Sequence, residues 1–363
     1  MRQAPRSPSS VRVAVLAVHP ERVASTRLRL LQYRALFSAA GVRLRCWSFL
    51  RERQLSDWFG TGQLRRILTL VQALLRLPSV VATVRGADVV VVQREALPLG
   101  PPVLEWWASR GRRLVWDVDD SVWESFDSPT AGHVPQWLRA TAGKYRWLCR
   151  RADEVWAGSE VLAQWCRQHS DHVHVVPTVV PVPFECPPGN RGRSVGWVGS
   201  HSTGPFLTQV LPAVAKVEPQ PDVLVVGAEV VTPGGLRAET SAWSQAREDS
   251  VLQRTRVGLY PVDRDHPLAE GKCGLKAILY MSHGIPSVVT PTTTNAAVVR
   301  DGVEGLHADT PEAWTSSVQK LLDEDGLWDR MSAAAHRRAR EEYSIEVWAP
   351  RLAARLTDLA RGH

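Results

Sequence analysis

The densest run of side chains able to do chemistry lies between His266 and Gly305. It reads HPLAEGKCGLKAILYMSHGIP from His266 to Pro286, with a carboxylate (Glu270) and a lysine (Lys272) in a loop and a second lysine (Lys276) four residues on. Side chains four apart on a helix share a face, so a helix beginning near Lys272 would let the two ammonium groups bracket a diphosphate. Two solvated lysines are the plain alternative, but lysine is scarce in this chain and clusters here. Glu270 is suited to the hydroxyls of a sugar. Tyr280 lies on the same helical segment, and Thr293, Thr294 and Asn295 follow the next strand with hydroxyl and amide donors.

A second loop, Gly196-Trp-Val-Gly199-Ser200-His201-Ser202-Thr203-Gly204, stands directly before a helix that opens at Pro205. Backbone N–H groups and the helix dipole both point out of a helix N-terminus, so small residues and hydroxyls there make an anion site as well as a cap. A third cluster, Asp117-Val-Asp119-Asp120, follows a strand. Two carboxylates one residue apart can hold a divalent ion, cap a loop or pair with a nearby arginine. His169, His172 and His174 straddle a helix end and a strand start, a placement expected of structural or surface residues. Of the fifteen tryptophans, Trp106, Trp107, Trp116, Trp123 and Trp137 gather in one stretch; most are expected in the core, with a minority able to stack on a sugar face.

These loops need elements to hold them. Short β-branched runs alternate with amphipathic segments along the whole chain, the pattern of parallel sheets covered by helices, so the fold class is α/β. Strands are expected at residues 11–18, 42–49, 87–93, 113–117, 154–157 and 173–177, and then at 194–198, 223–227, 256–261 and 287–290. Helices are expected at 26–40, 101–110, 205–216, 274–283, 311–323, 328–342 and 347–361. Between Pro177 and Gly192 the sequence PTVVPVPFECPPGNRG has no periodicity, which marks a linker. The expected organisation is a frayed terminus at 1–10, a Rossmann-like domain at 11–178, a linker at 179–193, a second Rossmann-like domain at 194–345, and a final helix at 346–363 able to cross back onto the first domain. Open parallel sheets bind ligands at the carboxyl ends of their strands, so two such halves should share a central cleft.

Composition bounds the rest. A chain of 363 residues exceeds one ordinary core, and 44% hydrophobic with 22% charged residues excludes disorder. The five cysteines are scattered, without zinc-like spacing, which fits a reducing cytoplasm. Residues 1–113 hold nineteen arginines, no lysine and six acids, a net +13 within a total of +7. This is either a set of solvated faces or a domain that meets an anionic acceptor or an anionic membrane surface. Nucleic acid is not expected, because no basic helix or aromatic sheet accompanies the charge. The apolar stretch 67–84 is broken by Arg76 and Pro78 and reads as one or two buried or surface-docked helices.

With these residues in view, the chain resembles the family 4 (group 1, mostly retaining) glycosyltransferases of the metal-independent GT-B fold. The carriers are GKCGLKAILYMSHGIPSVVTP (271–291), VGWVGSHSTGPFL (195–207) and ADEVWAGSEVLAQW (152–165), supported by DGVEGL (301–306), STRLRLLQY (25–33) and QREALPLGPP (93–102). The resemblance implies that the second domain binds a nucleotide-diphosphate sugar (UDP-, GDP- or dTDP-linked) through Gly199, Ser200, His201, Ser202, Thr203, Glu270, Lys272, Lys276, Tyr280, Thr293, Thr294 and Asn295. It implies that the first domain takes a small-molecule, lipid-linked or glycan acceptor near Ser25, Thr26, Arg27, Arg29, Arg94 and Glu95. It also places Asp119, flanked by Asp117 and Asp120, where the family often has a histidine beside the transferred sugar, to orient or deprotonate the acceptor. No metal or other cofactor is expected.

Two departures stand out. The family often has an Arg and a Lys after the first strand of domain two, whereas this chain has Ser200 to Thr203. The usual pair of glutamates eight apart falls, on alignment at Met281, on Gly271 and Leu279. Positive charge must then come from Lys272 and Lys276, with Arg27 or Arg29 added on closure, and Glu270 stands in for the first glutamate. The function expected is sugar transfer with retention. The alternatives are a GT-B epimerase or phosphorylase, or a non-catalytic subunit that binds nucleotide sugars.

Overall fold

The computed structural model describes residues 10–59, 62–124, 142–186, 191–266 and 269–362. The frayed terminus expected at the start, part of the proline-rich linker and Trp137 therefore fall outside the described residues. The chain divides into two compact units, residues 1–178 with 348–363, and residues 179–347.

The first unit is built on a six-stranded parallel sheet of β1 (Val11–Ala17), β2 (Val42–Ser48), β3 (Val89–Gln93), β4 (Arg113–Val118), β5 (Glu154–Ala157) and β6 (Val173–Val175), in the order β2-β1-β3-β4-β5-β6. The near-continuous valine run of β3 is buried along its length, as expected of a central strand covered on both faces. The expected helix at 26–40 is broken into Ala24–Arg29, a 3₁₀ turn Leu31–Tyr33 and Arg34–Ala39. The break follows Arg29, which turns inward to the sheet. The last helix, Ile345–Arg361, places Trp348 onward in this unit, where Arg355 holds Glu154 at the start of β5 through two contacts of 3.0 Å.

The second unit repeats the plan with β7 (Ser194–Val198), β8 (Asp222–Val226), β9 (Ala238–Ser241), β10 (Val257–Tyr260), β11 (Ser287–Val289) and β12 (Gly305–His307), in the order β12-β11-β10-β7-β8-β9, all parallel. Its core lies on both faces of the sheet. Trp197, Leu207, Val257 and Trp314 fill one side, and Tyr280, Met281, Ile285 and Val289 the other. Residues 179–186 also belong to this unit, because Val180 pairs with Tyr343 and Ile345.

In each sheet the first strand has a neighbour on both sides, so the connections run outward in opposite directions from it. The two switch points lie between β1 and β3 and between β7 and β10. Loops leaving the carboxyl ends of those strands diverge and leave a crevice, which is where such sheets bind ligands.

Candidate functional site

At the β7/β10 switch point, β7 runs into Gly199, a 3₁₀ turn at His201–Thr203 and the helix Gly204–Val214 with Pro205 in its first turn. The turn closes on itself by a capping box between Ser200 and Thr203, and Ser200 and Ser202 share a hydrogen bond of 2.9 Å. Backbone packing beneath it is tight. A Cβ on Gly199 would stand 2.3 Å from the Trp197 ring, and one on Gly227 would stand 2.1 Å from the Gly199 carbonyl oxygen. The turn presents the exposed side chains of Ser200, His201 and Ser202, with Thr203 half-buried behind them.

Behind Thr203 stands Lys276. The helix Leu275–Ser282 begins after Gly274, whose φ of +68° lets the chain turn from the loop into the helix. Lys276 is its second residue, half-buried, with its Nζ donating to Thr203 Oγ1 at 3.3 Å. The same ammonium sits over the Trp197 ring at 4.5 Å and the Tyr260 ring at 5.4 Å from their centroids. Among the described residues no carboxylate forms an ion pair with it. Burial, then the positive charge of Lys272, lowers its pKa to about 7.

This corrects how the two lysines come together. Lys272 lies in the loop, its N–H donating to the Ala269 carbonyl, so the pair does not share a helical face as the spacing predicts. The loop brings its charge close enough to act on Lys276 all the same.

Three other expected donor contacts are structural. Tyr280 is wholly buried, and its hydroxyl accepts from Val198 N at 3.2 Å while lying 3.1 Å from the Leu259 and 3.2 Å from the Gly196 carbonyl oxygens. It fixes β7 to β10 from below and cannot reach a ligand. Asn295 is also wholly buried, its amide donating to Thr290 O at 3.0 Å. Thr294 is buried with its hydroxyl on the Glu270 carbonyl oxygen. Glu270 itself is half-buried, with one carboxylate oxygen accepting from Thr293 N at 2.9 Å at the start of the helix Thr293–Val298. It caps that helix and ties the loop after β10 to the loop after β11. Thr293 is exposed beside it.

In the first unit the carboxyl ends of β1, β3 and β4 bring together His19, Gln93, Arg94, Asp119 and Asp120. Arg94 Nε contacts Asp119 at 2.5 Å and its guanidinium reaches Asp120 at 3.6 Å, while Gln93 Nε2 donates to Asp119 at 3.2 Å. Arg94 has a φ of 56°, left-handed backbone that a non-glycine residue adopts at a cost, and its carbonyl accepts from Trp116 Nε1 at 2.7 Å. Burial alone would raise the Asp119 carboxyl, but Arg94 with its charge and hydrogen bond holds it below the usual carboxylate range. His19 is pushed down to about 4 by burial and then by Arg94, so its imidazole is neutral at pH 7.

Several expected acceptor-side residues do not face solvent here. Asp117 and Arg29 are a buried ion pair at 2.5 Å, and Arg29 also donates to Val176 O and Thr178. Thr26 is wholly buried against His19 O and Gln93. Glu95 is buried with Tyr145 and Lys144, and burial raises its carboxyl to about 7 despite Lys144. Ser25 and Arg27 are half-buried. Asp117 and Asp119 thus each have their own arginine, which does not fit the joint coordination of a cation. No cluster of three or more metal-ligating residues occurs among the described residues. Of the three histidines, His169 packs edge-on against Trp165, and His174 lies 3.9 Å from Glu154. Trp116 is core, Trp123 stacks on Trp165 at 3.8 Å, and Trp106 and Trp107 are exposed.

Sequence reasoning missed His19, Gln93 and the Trp197–Tyr260 ring pair. His19 had a signal, since a His-Pro follows the first strand directly. The rings had none, because their meeting with Lys276 depends on three separate elements.

Comparison with known proteins bears on this arrangement. Residues 193–324 match the family model described as glycosyl transferases group 1. No curated protein matches by sequence. Among solved structures, the Anabaena protein HepE, crystallised with UDP and glucose, is similar at a TM-score of 0.68 and 14% identity, over 96% of this chain and 100% of that one. Sucrose-phosphate synthase from Thermosynechococcus elongatus gives 0.70 and 14%, over 97% and 100%. A glycosyltransferase from Rickettsia africae gives 0.68 and 10%, over 98% and 100%. At these identities the likeness establishes the fold, two six-stranded α/β sheets of the GT-B type.

Proposed function

We propose, on the premise that this protein is a glycosyltransferase whose second domain belongs to the group 1 glycosyl transferases, that it transfers a hexose from a UDP-sugar to an acceptor held by its first domain. The observation that carries the donor side is Lys276, a half-buried ammonium with no ion-paired carboxylate among the described residues, bonded to the hydroxyl turn at the β7/β10 switch point. A buried charge is normally paired, so a site that leaves one half-open suits a polyanion supplied by a ligand. UDP is the choice of nucleotide because structures of HepE hold UDP, UDP with glucose, or UDP-glucose.

In transfer the bond between the sugar anomeric carbon and the diphosphate oxygen breaks with its electron pair leaving on the diphosphate, while the acceptor hydroxyl oxygen bonds to that carbon and its proton passes to the departing diphosphate. Lys276 and Lys272 meet the charge that develops there, with donors from Ser200, Ser202 and Thr203. These lysines take the part of the absent Arg/Lys pair. On the acceptor side, Asp119 is ionised and held by Arg94. This makes it a weak base and suits it to orienting an acceptor hydroxyl, with neutral His19 behind it. We assign retention of configuration and a cytoplasmic setting, supported respectively by the group 1 resemblance and by five scattered cysteines without zinc-like or CxxC spacing.

The decisive measurement is calorimetric binding of UDP-glucose to Lys276→Met. We expect a loss of about 10- to 100-fold in affinity, the scale of one charge-assisted contact of ~1.5–3 kcal/mol. Unchanged affinity would refute the phosphate assignment. Product analysis by NMR with candidate acceptors then reports stereochemistry. Binding without transfer to any of them would favour the non-catalytic reading that the missing glutamates motivate.

A further inference from the structure

The helix Gln63–Leu75 presents its apolar face to solvent. Leu64, Ile67, Leu68, Val71 and Leu75 are each between 47% and 76% exposed, and at 100° per residue they fall within an arc of about 100°. The buried residues on the opposite side are Thr69 and Ala73, both small. This inverts the usual arrangement, in which the apolar stripe of a surface helix faces the core. An exposed apolar stripe of this extent marks an interaction surface.

The surroundings are cationic. Between residues 43 and 85 the chain carries eight arginines and only two acids, Glu52 and Asp57. Arg51, Arg53 and Arg65 are exposed, and Arg76 at the helix end lies close enough to Arg51 and Arg53 that, after burial, their charges lower its pKa. A second copy of this chain would bring the same cations against themselves.

We propose that this face is a membrane-docking surface, with the apolar stripe entering the headgroup region of an anionic lipid bilayer and the arginines contacting its phosphates. An amphipathic helix with basic flanks binds lipid by this combination of apolar burial and charge. The helix lies along the surface and does not span it. By length and composition Gln63–Val84 could cross a bilayer, but a 3₁₀ turn at Leu77–Ser79 interrupts it. Thirteen residues of helix reach about 20 Å against a hydrocarbon core of about 30 Å. The region is also pinned to the sheet, with Trp47 donating to Ser79 at 2.9 Å and Arg76 to the Phe49 carbonyl at 3.2 Å.

The test is co-sedimentation of the full chain with vesicles of equal phosphatidylglycerol and phosphatidylcholine, beside vesicles of phosphatidylcholine alone. The protein should bind the anionic vesicles and be released by salt. The triple variant Ile67→Gln, Val71→Gln, Leu75→Gln should bind at least about tenfold more weakly. Arg51→Gln with Arg53→Gln should weaken binding and flatten its salt dependence. All five substitutions are at exposed positions, and an unchanged circular dichroism spectrum and melting temperature would show that the variants are folded. No binding of the parent chain to anionic vesicles, or equal binding by the triple variant, would overturn the proposal. So would a parent dimer that the triple variant makes monomeric while neither binds lipid. These outcomes do not depend on the donor assignment.

Discussion

Lys276 sits where an ammonium is expensive to hold, and that gives the proposed donor site a pH signature. Its free pKa of about 7 reflects burial and the neighbouring charge of Lys272. A bound diphosphate supplies the opposite charge, which should outweigh both the burial and the repulsion from Lys272 and so raise the pKa on binding. Between about pH 7 and the higher bound value, binding therefore takes up a proton, and affinity for UDP-glucose should fall by up to about tenfold per pH unit while staying flat below 7. Stability of the unliganded protein should run the other way. The unfolded lysine titrates near 10.5, so between 7 and 10.5 the unfolded chain binds more protons and this residue's contribution to folding becomes less unfavourable as pH rises. A UDP-glucose titration from pH 6 to 9, with calorimetry in buffers of different ionisation enthalpy, reads the proton uptake directly. Lys276→Met should abolish the slope, and a slope that survives would assign the titration elsewhere.

At the level of elements, the turn after β7 is shaped from below by the loop after β8. Gly227 has a φ of +92°, and its missing side chain is what allows the Gly199 carbonyl to lie there. Gly227→Ala would cost ~1–2 kcal/mol for the left-handed backbone alone. It would also displace Gly199 and the Ser200–Thr203 turn, so UDP-glucose affinity should drop several-fold in protein that is still folded at low temperature. Thermal denaturation and calorimetry separate the two losses, and a variant with unchanged affinity would show that the turn tolerates the shift. The same elements show what the sequence reveals. The central strands are legible because valine runs such as Val89–Val92 have few other fates. Strand β9 is Ala-Glu-Thr-Ser, partly exposed at a sheet edge, and carries no apolar pattern to detect. Lys272 and Lys276 stood out by scarcity, but the start of their helix depends on Gly274, so the inferred shared face failed. Tyr280, Asn295 and Thr26 looked like ligand donors because burial of a polar group is decided by partners far away in sequence. Asp117 and Arg29, 88 positions apart, are the clearest instance.

On the scale of the whole molecule, the end of the chain is part of the beginning. The helix Ile345–Arg361 buries Leu352, Leu356 and Leu359, and its residues from Trp348 onward belong to the first unit, with Arg355 on Glu154. At ~1.5–3 kcal/mol for each buried leucine, those three side chains contribute roughly 5–9 kcal/mol as an upper value. A domain is stable by only about 5–15 kcal/mol in total. Ending the chain after Val347 should therefore unfold most of the first unit at physiological temperature while leaving the second unit, with Lys276 and the Ser200–Thr203 turn, able to bind. Differential scanning calorimetry of the truncated protein should show one transition lost and the remaining one still raised by UDP-glucose. Sugar transfer should vanish, because Asp119 and Arg94 lie in the unit that unfolds. If the truncated chain kept full transfer, the acceptor side could not reside where Asp119 places it.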